Sequence, residues 1–308
     1  MNSLSPYQAK LDAIPVARST VTANGSRTEL WTYGPEDADT TIVMVHGFRG
    51  DHHGLEPIVA QLASYRSVLA DLPGFGSSTP LQSQHDIEGY GRWLAELLPQ
   101  VRGSATRRTI VLGHSFGSII VAGALAQGLA ADGVVLINPI AAPALAGPRG
   151  VLTRLAVFYY WLAAKLPERL GFALLRNAAI VRVMSVTMAK TKDPGLRRWI
   201  HAQHDAYFSA FSNRDVVLEA FTASVGSDVS EFAARITPPT LLIAADKDDI
   251  TPVAAQHRLN SLILGSELTV ITDVGHLIHY EVPEEAGQAI IAFLARIKGA
   301  TETGAAQA

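Results

Sequence analysis

The sequence predicts an α/β protein with a mostly parallel central β-sheet, an N-terminal antiparallel hairpin and an inserted helical region. Two observations predict the sheet: short runs rich in Val and Ile recur along the chain, and helix-length segments separate most of them. A third observation sets the insertion apart, because residues 140–236 contain no convincing strand. With 308 residues, 48% of them hydrophobic and 17% charged, the chain is large enough for a substantial core.

The first element is the hairpin. Two runs of alternating polar and apolar residues lie on either side of Asn24-Gly25, within residues 15–34. Asn-Gly between alternating runs is the strongest short hairpin signal, because both positions of the turn need a positive φ. We therefore expect an antiparallel hairpin at the start of the sheet.

The next elements are buried strands, since short continuous apolar runs bounded by turn residues are typical of strands covered on both faces. They are predicted at 41–47, 67–74, 109–115, 133–139, 240–246 and 267–273. Helices are predicted between them at 54–64, 86–101 and 116–130. Strands that alternate with helices indicate a parallel sheet with helices on both faces.

The break in this alternation predicts the domain organisation. Residues 1–139 and 237–300 form the core domain, and residues 140–236 form a helical cap inserted between its two parts. Pro139 and Pro143 lie at the entry to the cap, and Pro238-Pro239 lie at its exit. Residues 301–308 are expected to be a disordered tail.

A serine lies at the junction of the third predicted parallel strand and its helix, in the sequence TIVLGHSFGSII from Thr109 to Ile120. So tight a turn strains the backbone of Ser115, and side chains two residues away would collide, which Gly113 and Gly117 avoid. The turn places the hydroxyl at a helix N-terminus, where N–H groups favour a developing oxyanion. His114 is adjacent, but its side chain leaves the turn in another direction, so we interpret it as a packing residue.

A serine nucleophile needs a histidine base and a carboxylate that orients it. His276 follows the last strand, at the same carboxyl edge of the sheet as Ser115, where ligands gather in α/β proteins. Asp246, Asp248 and Asp249 follow the preceding strand. The chain order Ser, Asp, His is the one that strand ends in such a sheet would give.

These features resemble the α/β-hydrolase superfamily, in its serine-nucleophile branch with a helical cap, over nearly the whole chain except the cap. His46-Gly47-Phe48 resembles the family's early His-Gly motif, residues 68–78 its Asp-x-Pro-Gly-x-Gly-x-Ser segment, and residues 113–117 its nucleophile elbow. The resemblance argues against haloalkane dehalogenases and soluble epoxide hydrolases, which have aspartate in place of the serine.

The same resemblance selects among the candidate acids and bases. The family's acid usually lies four residues before a proline, as Asp248 does, and its histidine lies five residues before a Glu-x-Pro, as His276 rather than His279 does. The acid motif commonly begins with glycine, and Ala245 occupies that place here, which leaves Asp246 as a rival.

The oxyanion hole needs two backbone N–H groups that point to one place. Phe116, the residue after the nucleophile, is expected to supply one, and the resemblance assigns the other to Phe48. Gly47 supports this loop, as Gly113 and Gly117 support the serine turn. His46 is interpreted as a residue that braces the loop rather than as a base.

The predicted reaction is acyl transfer to water, through an acyl-enzyme on Ser115 and with a small hydrophobic acyl compound, best a carboxylic ester, as substrate. No cofactor and no metal is expected. The alternatives are hydrolysis of the C–C bond of ring-cleavage diketo acids, and lactone, amide or perhydrolase chemistry with the same triad. A non-catalytic receptor or scaffold with this fold is a further alternative.

Composition limits the partners. A formal charge of −3 and a pI near 6.4 give no basic excess for nucleic acid. The chain has no cysteine, its start lacks the apolar core of a signal peptide, and the apolar aromatic run at 155–164 is shorter than the roughly 20 residues of a membrane span. These observations predict a cytoplasmic protein. Its oligomeric state is left open.

The cap carries a local charge excess. Residues 149–192 contain eight Lys or Arg and one acid, Glu168, together with several aromatic residues. Such a surface could contact an anionic membrane or admit a substrate that bears an anionic group. The interpretation that the sequence favours is simpler: the aromatic residues pack on the core and the arginines are solvated.

Overall fold

The computed structural model describes residues 5–143 and 150–305, and within them eight strands form a single sheet in the order β1-β2-β4-β3-β5-β6-β7-β8. The strands are β1 Val16–Ala23, β2 Ser26–Tyr33, β3 Thr40–Val45, β4 Arg66–Ala70, β5 Arg108–His114, β6 Gly133–Ile137, β7 Thr240–Ala245 and β8 Glu267–Ile271. All six predicted buried strands are present. The strands from β4 to β8 in this order pair in parallel.

The hairpin forms as expected. Ala23 pairs with Ser26, so Asn24 and Gly25 alone make the turn, with φ angles of 43° and 75°. These positive angles give the turn a twist that matches the two strands. β2 is antiparallel to both β1 and β4, and it therefore joins the hairpin to the parallel part of the sheet.

Helices cover both faces of the sheet. In the described residues they are α1 Gln8–Asp12, α2 Glu56–Val59, α3 Ile87–Val101, α4 Phe116–Ala126, α5 Gly150–Lys165, α6 Glu168–Leu175, α7 Ala178–Met188, α8 Pro194–Tyr207, α9 Arg214–Gly226, α10 Val253–Leu262, α11 Ile278–Glu281 and α12 Pro283–Ala305. Alternate residues of β3 lie in different cores: Val43 and Val45 pack with α3 and α4, whereas Ile42 and Met44 pack with α2 and α12. This alternation buries β3 on both sides, whereas β8, at the edge of the sheet, is only partly buried.

Two predicted elements differ from the structure. The helix predicted at 54–64 is only the four-residue α2, flanked by turns, because Pro57 is confined to its first turn and the chain turns again before β4. The disordered tail predicted at 301–308 is wrong for residues 301–305, since α12 continues through them. Ala and Glu in that segment favour this continuation. Residues 306–308 lie outside the described residues.

Between β6 and β7 the described residues contain five helices, α5 to α9, and no strand. Residues 144–149 of the predicted cap lie outside the described part. One contact with the core is a β-bridge between Phe75 and Phe211. Within this insertion, Glu168–Met188 is long and apolar enough to cross a membrane by length and mean hydropathy (1.3), with 22% of the apolar window buried. It is interrupted at Arg176 and Asn177, which separate α6 from α7.

Candidate active site

Ser115 lies at the junction between β5 and α4. Its φ of 53° and ψ of −118° are a backbone conformation that few residues other than glycine adopt. The two neighbouring glycines are required by contact: a Cβ at Gly113 would lie 2.5 Å from the carbonyl oxygen of Gly117, and one at Gly117 would lie 2.2 Å from that of Val45. The turn therefore places Ser115 at the carboxyl edge of the sheet, where the residue is half-buried.

The structure brings the three predicted site residues together. Ser115 Oγ lies 2.8 Å from His276 Nε2, and His276 Nδ1 lies 2.8 Å from Asp248 Oδ2. His276 and Asp248 are buried at 5% and 7% exposure, so water screens their contact little. These are the distances of hydrogen bonds that join a nucleophile, a base and an orienting carboxylate.

The loop after β7 holds Asp248 from several sides. Its Oδ1 accepts the backbone N–H groups of Ile250 (2.8 Å) and Thr251 (3.1 Å), and its Oδ2 also accepts the side-chain amide of Asn138 (3.1 Å). These donors and His276 lower the pKa of the Asp248 carboxyl despite its burial, which alone would raise that pKa. Asp246, the rival acid, is exposed to solvent.

A hydroxyl that the sequence did not single out supports the serine turn. Ser118 Oγ donates a hydrogen bond to the carbonyl of Ser115 (2.5 Å) and accepts one from the N–H of Ile140 (3.2 Å). It thereby connects the turn to the segment that follows β6. The spacing of three residues along α4 was the available signal, because a helical serine at that distance can reach back to the turn.

The predicted oxyanion residues flank Ser115. A Cβ at Gly47 would lie 3.4 Å from the Cβ of Ser115, which shows how closely this loop approaches the serine. In the described part of the chain, the N–H groups of Phe48 and Phe116 donate to no protein acceptor. The rings of Phe48 and Phe116 pack edge to face, with centroids 6.1 Å apart. An oxyanion hole requires two N–H donors without protein acceptors beside the nucleophile, so this assignment stays a prediction.

His46 braces this loop. Its Nε2 accepts the N–H of Leu72 (2.9 Å), so its Nδ1 carries the proton and donates to the carbonyl of Gly47 (2.8 Å). Burial lowers its pKa and keeps it neutral. His114 is also buried, and its ring packs on that of His279, with centroids 3.9 Å apart.

Arg49 has a role that the sequence did not indicate. Its side chain is 1% exposed, and its backbone has a φ of 66°. Its guanidinium donates to the carbonyls of Leu175 (2.6 Å) and Phe208 (3.0 Å) and to the Tyr160 hydroxyl (3.1 Å). These partners belong to the helical insertion, so Arg49 ties residues 46–48, which we call the predicted oxyanion loop, to that insertion.

Among the described residues, one group of side chains could hold a metal by proximity alone: Asp51, His52 and His53, whose ligand atoms lie within 4.8 Å of one another. The structure engages these side chains in hydrogen bonds, one within the group and one with a residue outside it. His52 Nδ1 lies 2.8 Å from Asp71, and His53 Nδ1 lies 3.0 Å from Asp51. The His52 ring stacks on Trp31 at 3.4 Å, which confines it further. This group fits a structural network that holds the loop.

Comparison with known proteins places this architecture. The model of the alpha/beta hydrolase family matches residues 42–289, which include most of β3, all of β4 to β8 and all three residues of the hydrogen-bonded chain. The chain belongs to the alpha/beta hydrolase family. The fold predicted from the sequence and the resemblance to this family are thereby both confirmed.

Individual relatives of this alpha/beta hydrolase are distant. Lipase 1 of Psychrobacter immobilis is 26% identical over 83% of this chain and 77% of that protein. A 2-hydroxy-6-oxononadienedioate/2-hydroxy-6-oxononatrienedioate hydrolase of Klebsiella pneumoniae is 24% identical over 94% of this chain and 99% of that protein. Among solved structures, an esterase from Exiguobacterium antarcticum superposes with a TM-score of 0.73 at 18% identity, covering 91% of this chain and 100% of that one. That likeness concerns the fold alone.

Proposed function

We propose that this alpha/beta hydrolase cleaves carboxylic esters of small hydrophobic molecules through an acyl-enzyme on Ser115. The observation that carries the proposal is the continuous chain of contacts from Asp248 through His276 to Ser115, with both distances at 2.8 Å. Lipases and esterases among the relatives support the same reaction class.

His276 acts first as a base. As Ser115 Oγ attacks the ester carbonyl, its proton passes to His276 Nε2. Asp248 accepts a hydrogen bond from Nδ1–H, which fixes the tautomer and stabilises the imidazolium that forms. Because its pKa is lowered, Asp248 is ionised at neutral pH and can perform this task. His276 then protonates the leaving alkoxide, and a water molecule repeats the sequence to release the acid.

Charge that develops on the carbonyl oxygen is stabilised by the N–H groups of Phe48 and Phe116. Removal of one such donor typically costs 10²–10³ in rate, roughly 3 to 4 kcal/mol. Arg49 holds Phe48 in place through the insertion, because its three hydrogen bonds all end there. The position of the helical insertion and the geometry of the oxyanion hole are thus coupled.

The hydrophobic character of the substrate is inferred from the residues around Phe48. Its ring contacts those of Phe75, Tyr160 and Phe221, with centroid distances of about 6 Å, and Tyr160 stacks on Phe221 at 3.7 Å. An acyl chain bound beside the predicted oxyanion loop would meet this aromatic cluster. The helical insertion then serves as a cap that selects the acyl group.

Turnover of p-nitrophenyl esters of increasing acyl length tests the proposal. We expect hydrolysis that rises from acetate to medium chains and is lost in Ser115→Ala and His276→Ala. The matched control is Ser77→Ala, since Ser77 lies on a nearby loop and only its backbone N–H is bonded to Asp71. Activity that persists in Ser115→Ala would refute the assignment, and acetate turnover equal to that of medium chains would refute a selective cap.

A second candidate is hydrolysis of a C–C bond in ring-cleavage diketo acids. The observation that favours it is the similarity to the 2-hydroxy-6-oxononadienedioate/2-hydroxy-6-oxononatrienedioate hydrolase of Klebsiella pneumoniae, which covers 99% of that protein. The same serine and histidine could serve that reaction. Incubation with dienoate diketo acids, followed by loss of their visible absorbance, separates the two candidates: rapid turnover of these acids with slow ester hydrolysis would favour the second.

A further inference from the structure

Exposed large hydrophobic residues are concentrated on three helices of the insertion. In the described part of the chain, twelve large hydrophobic side chains are exposed, and seven of them lie between residues 155 and 186. We call these seven the outer surface of α5–α7, and they are Leu155, Val157, Phe158, Trp161, Leu170, Val183 and Val186. We propose that this outer surface docks on an anionic lipid bilayer.

Helix α5 is arranged for such contact. Tyr160 and Ala163 are buried in the protein, whereas Phe158 and Trp161 are 56% and 51% exposed. The two exposed rings stack on each other, with centroids 5.7 Å apart, and so form one apolar ridge. Aromatic side chains on the exposed face of an amphipathic helix are typical of helices that lie in a membrane interface.

Basic residues lie at both ends of this ridge. Arg154 is four residues before Phe158 and Lys165 is four residues after Trp161, and all four are exposed, so they share one face of α5. When aromatic rings enter the apolar layer of a membrane, long basic side chains beside them can reach lipid phosphates while their stems remain in that layer.

The charge of the whole segment favours an anionic surface. Residues 149–192 contain eight basic residues and one acidic residue, although the whole chain has a formal charge of −3. Each basic residue near an anionic membrane strengthens binding, and the effect weakens as salt screens it. Two copies of such a positive surface would repel each other, which disfavours a dimer through this face.

The outer surface fits contact with a bilayer rather than insertion across it. Although the stretch Glu168–Met188 has the composition of a span, it consists of α6 and α7, with 8 and 11 residues. Each helix is shorter than the roughly 20 residues that cross a hydrocarbon core. Residues Leu170, Val183 and Val186 are exposed on them and would lie at the depth of the headgroups and upper acyl chains.

Docking would bring lipid to the active site. Tyr160 points inward from α5, beside the exposed ridge, and its hydroxyl bonds Arg49 next to the predicted oxyanion loop. A hydrophobic ester dissolved in the bilayer would therefore meet the same helix that borders the aromatic cluster around Phe48. This last step rests on the proposed function, whereas docking itself does not.

Co-sedimentation of the full chain with vesicles tests docking. We expect binding to phosphatidylcholine vesicles that contain about 30% phosphatidylglycerol, little binding to phosphatidylcholine alone, and weaker binding at about 0.5 M salt. The double variant Phe158→Ser/Trp161→Ser should bind about tenfold more weakly or worse. The matched control is Leu262→Ser/Leu264→Ser, which removes two exposed apolar side chains away from this surface and should bind as the wild type does.

Three further measurements keep the test decisive. Circular dichroism must show that the double variant is folded, and its hydrolysis of a water-soluble ester should be unchanged. Ser115→Ala should bind vesicles as the wild type does, so that failure of the proposed chemistry and failure of docking are distinguishable. Absence of binding to the anionic vesicles, or equal binding by Phe158→Ser/Trp161→Ser, would overturn the proposal. A dimer in size-exclusion chromatography that this variant abolishes, without vesicle binding, would also overturn it.

Discussion

Replacement of Asp248 with asparagine tests whether this carboxylate sets the tautomer of His276. An amide nitrogen at the Oδ1 position would oppose the N–H groups of Ile250 and Thr251, which Oδ1 accepts at 2.8 and 3.1 Å. The amide should therefore place its nitrogen at the Oδ2 position. At that position the new amide nitrogen can donate to the side-chain oxygen of Asn138 once the Asn138 amide turns over. The Asn138 oxygen is available for this, because it is buried and has no hydrogen-bond partner in the described part of the chain.

The consequence for the base follows from this orientation. The new amide donates to His276 Nδ1, which must then be unprotonated, so the imidazole proton moves to Nε2 and faces Ser115 Oγ. A protonated Nε2 cannot accept the serine proton. We expect kcat to fall about 10⁴-fold, as for an imposed wrong tautomer, which corresponds to about 5 kcal/mol of transition-state stabilisation. The free energy of unfolding should change by less than about 2 kcal/mol, because the hydrogen bonds are exchanged rather than lost.

Steady-state hydrolysis of an activated ester, together with urea unfolding, measures both effects. The matched control is Asp246→Asn, which changes an exposed carboxylate two residues away. It should retain nearly full activity. The reasoning is refuted if Asp248→Asn keeps more than about a tenth of the wild-type kcat, or if Asp246→Asn is the variant that loses activity.

The remaining predictions concern the frame of the site. Gly117→Ala should fail to fold or lose more than about 3 kcal/mol of stability, because its Cβ would lie 2.2 Å from the backbone oxygen of Val45. The control is Gly226→Ala, where a Cβ meets nothing within 4 Å, and it should change the free energy of unfolding by less than about 1 kcal/mol. Urea unfolding compares the two glycine variants, and equal losses of stability would contradict this explanation. Arg49→Met should lower the free energy of unfolding by about 3 kcal/mol in the same assay, because three hydrogen bonds are lost. An unchanged urea midpoint would show that these hydrogen bonds do not stabilise the contact between the loop and the insertion. Burial lowers the pKa of His114 and of His204 to about 3, and it lowers the pKa of His279 well below its usual value. As pH falls below the unfolded value of about 6.5, only the unfolded chain gains these protons, so stability should drop by about 2 kcal/mol at pH 5 for each of His114 and His204, with a further loss from His279; a flat profile of unfolding free energy from pH 7.5 to 5 would contradict this.

The sheet and the serine turn could be predicted because their signals are local. Runs of buried Val and Ile specify strands, and Asn24-Gly25 specifies a two-residue turn. The glycines around Ser115 are required by close contacts at one strand-to-helix turn. The choice between Asp246 and Asp248 depended on the family's usual spacing of four residues between the acid and a proline. In the structure only the second of them contacts His276.

Arg49 could not be predicted because its partners are distant in sequence. Two of the three are backbone carbonyls, at Leu175 and Phe208, and a carbonyl has no residue identity for a pattern to display. The only local sign was its position after Phe48, in a loop that is rich in charged residues and therefore typical of solvent-exposed loops. The 1% exposure of Arg49 is decided by how the insertion packs on the core.

The interpretation that the aromatic residues of the cap pack on the core holds only in part, for a related reason. The sequence favoured aromatic residues that pack on the core, and Tyr160 does so, but Phe158 and Trp161 are exposed on the same helix. Periodicity places these residues on different faces of α5, and it does not say which face meets the protein.

Labelling with a fluorophosphonate tests the central claim most directly. The account predicts that the probe modifies the wild-type chain once, that peptide mapping places the adduct on Ser115, and that Ser115→Ala takes up none. Labelling should slow strongly in His276→Ala, because the hydroxyl then lacks its base. An unlabelled wild type, or an adduct on another residue that persists in Ser115→Ala, would contradict the assignment of Ser115 as the nucleophile.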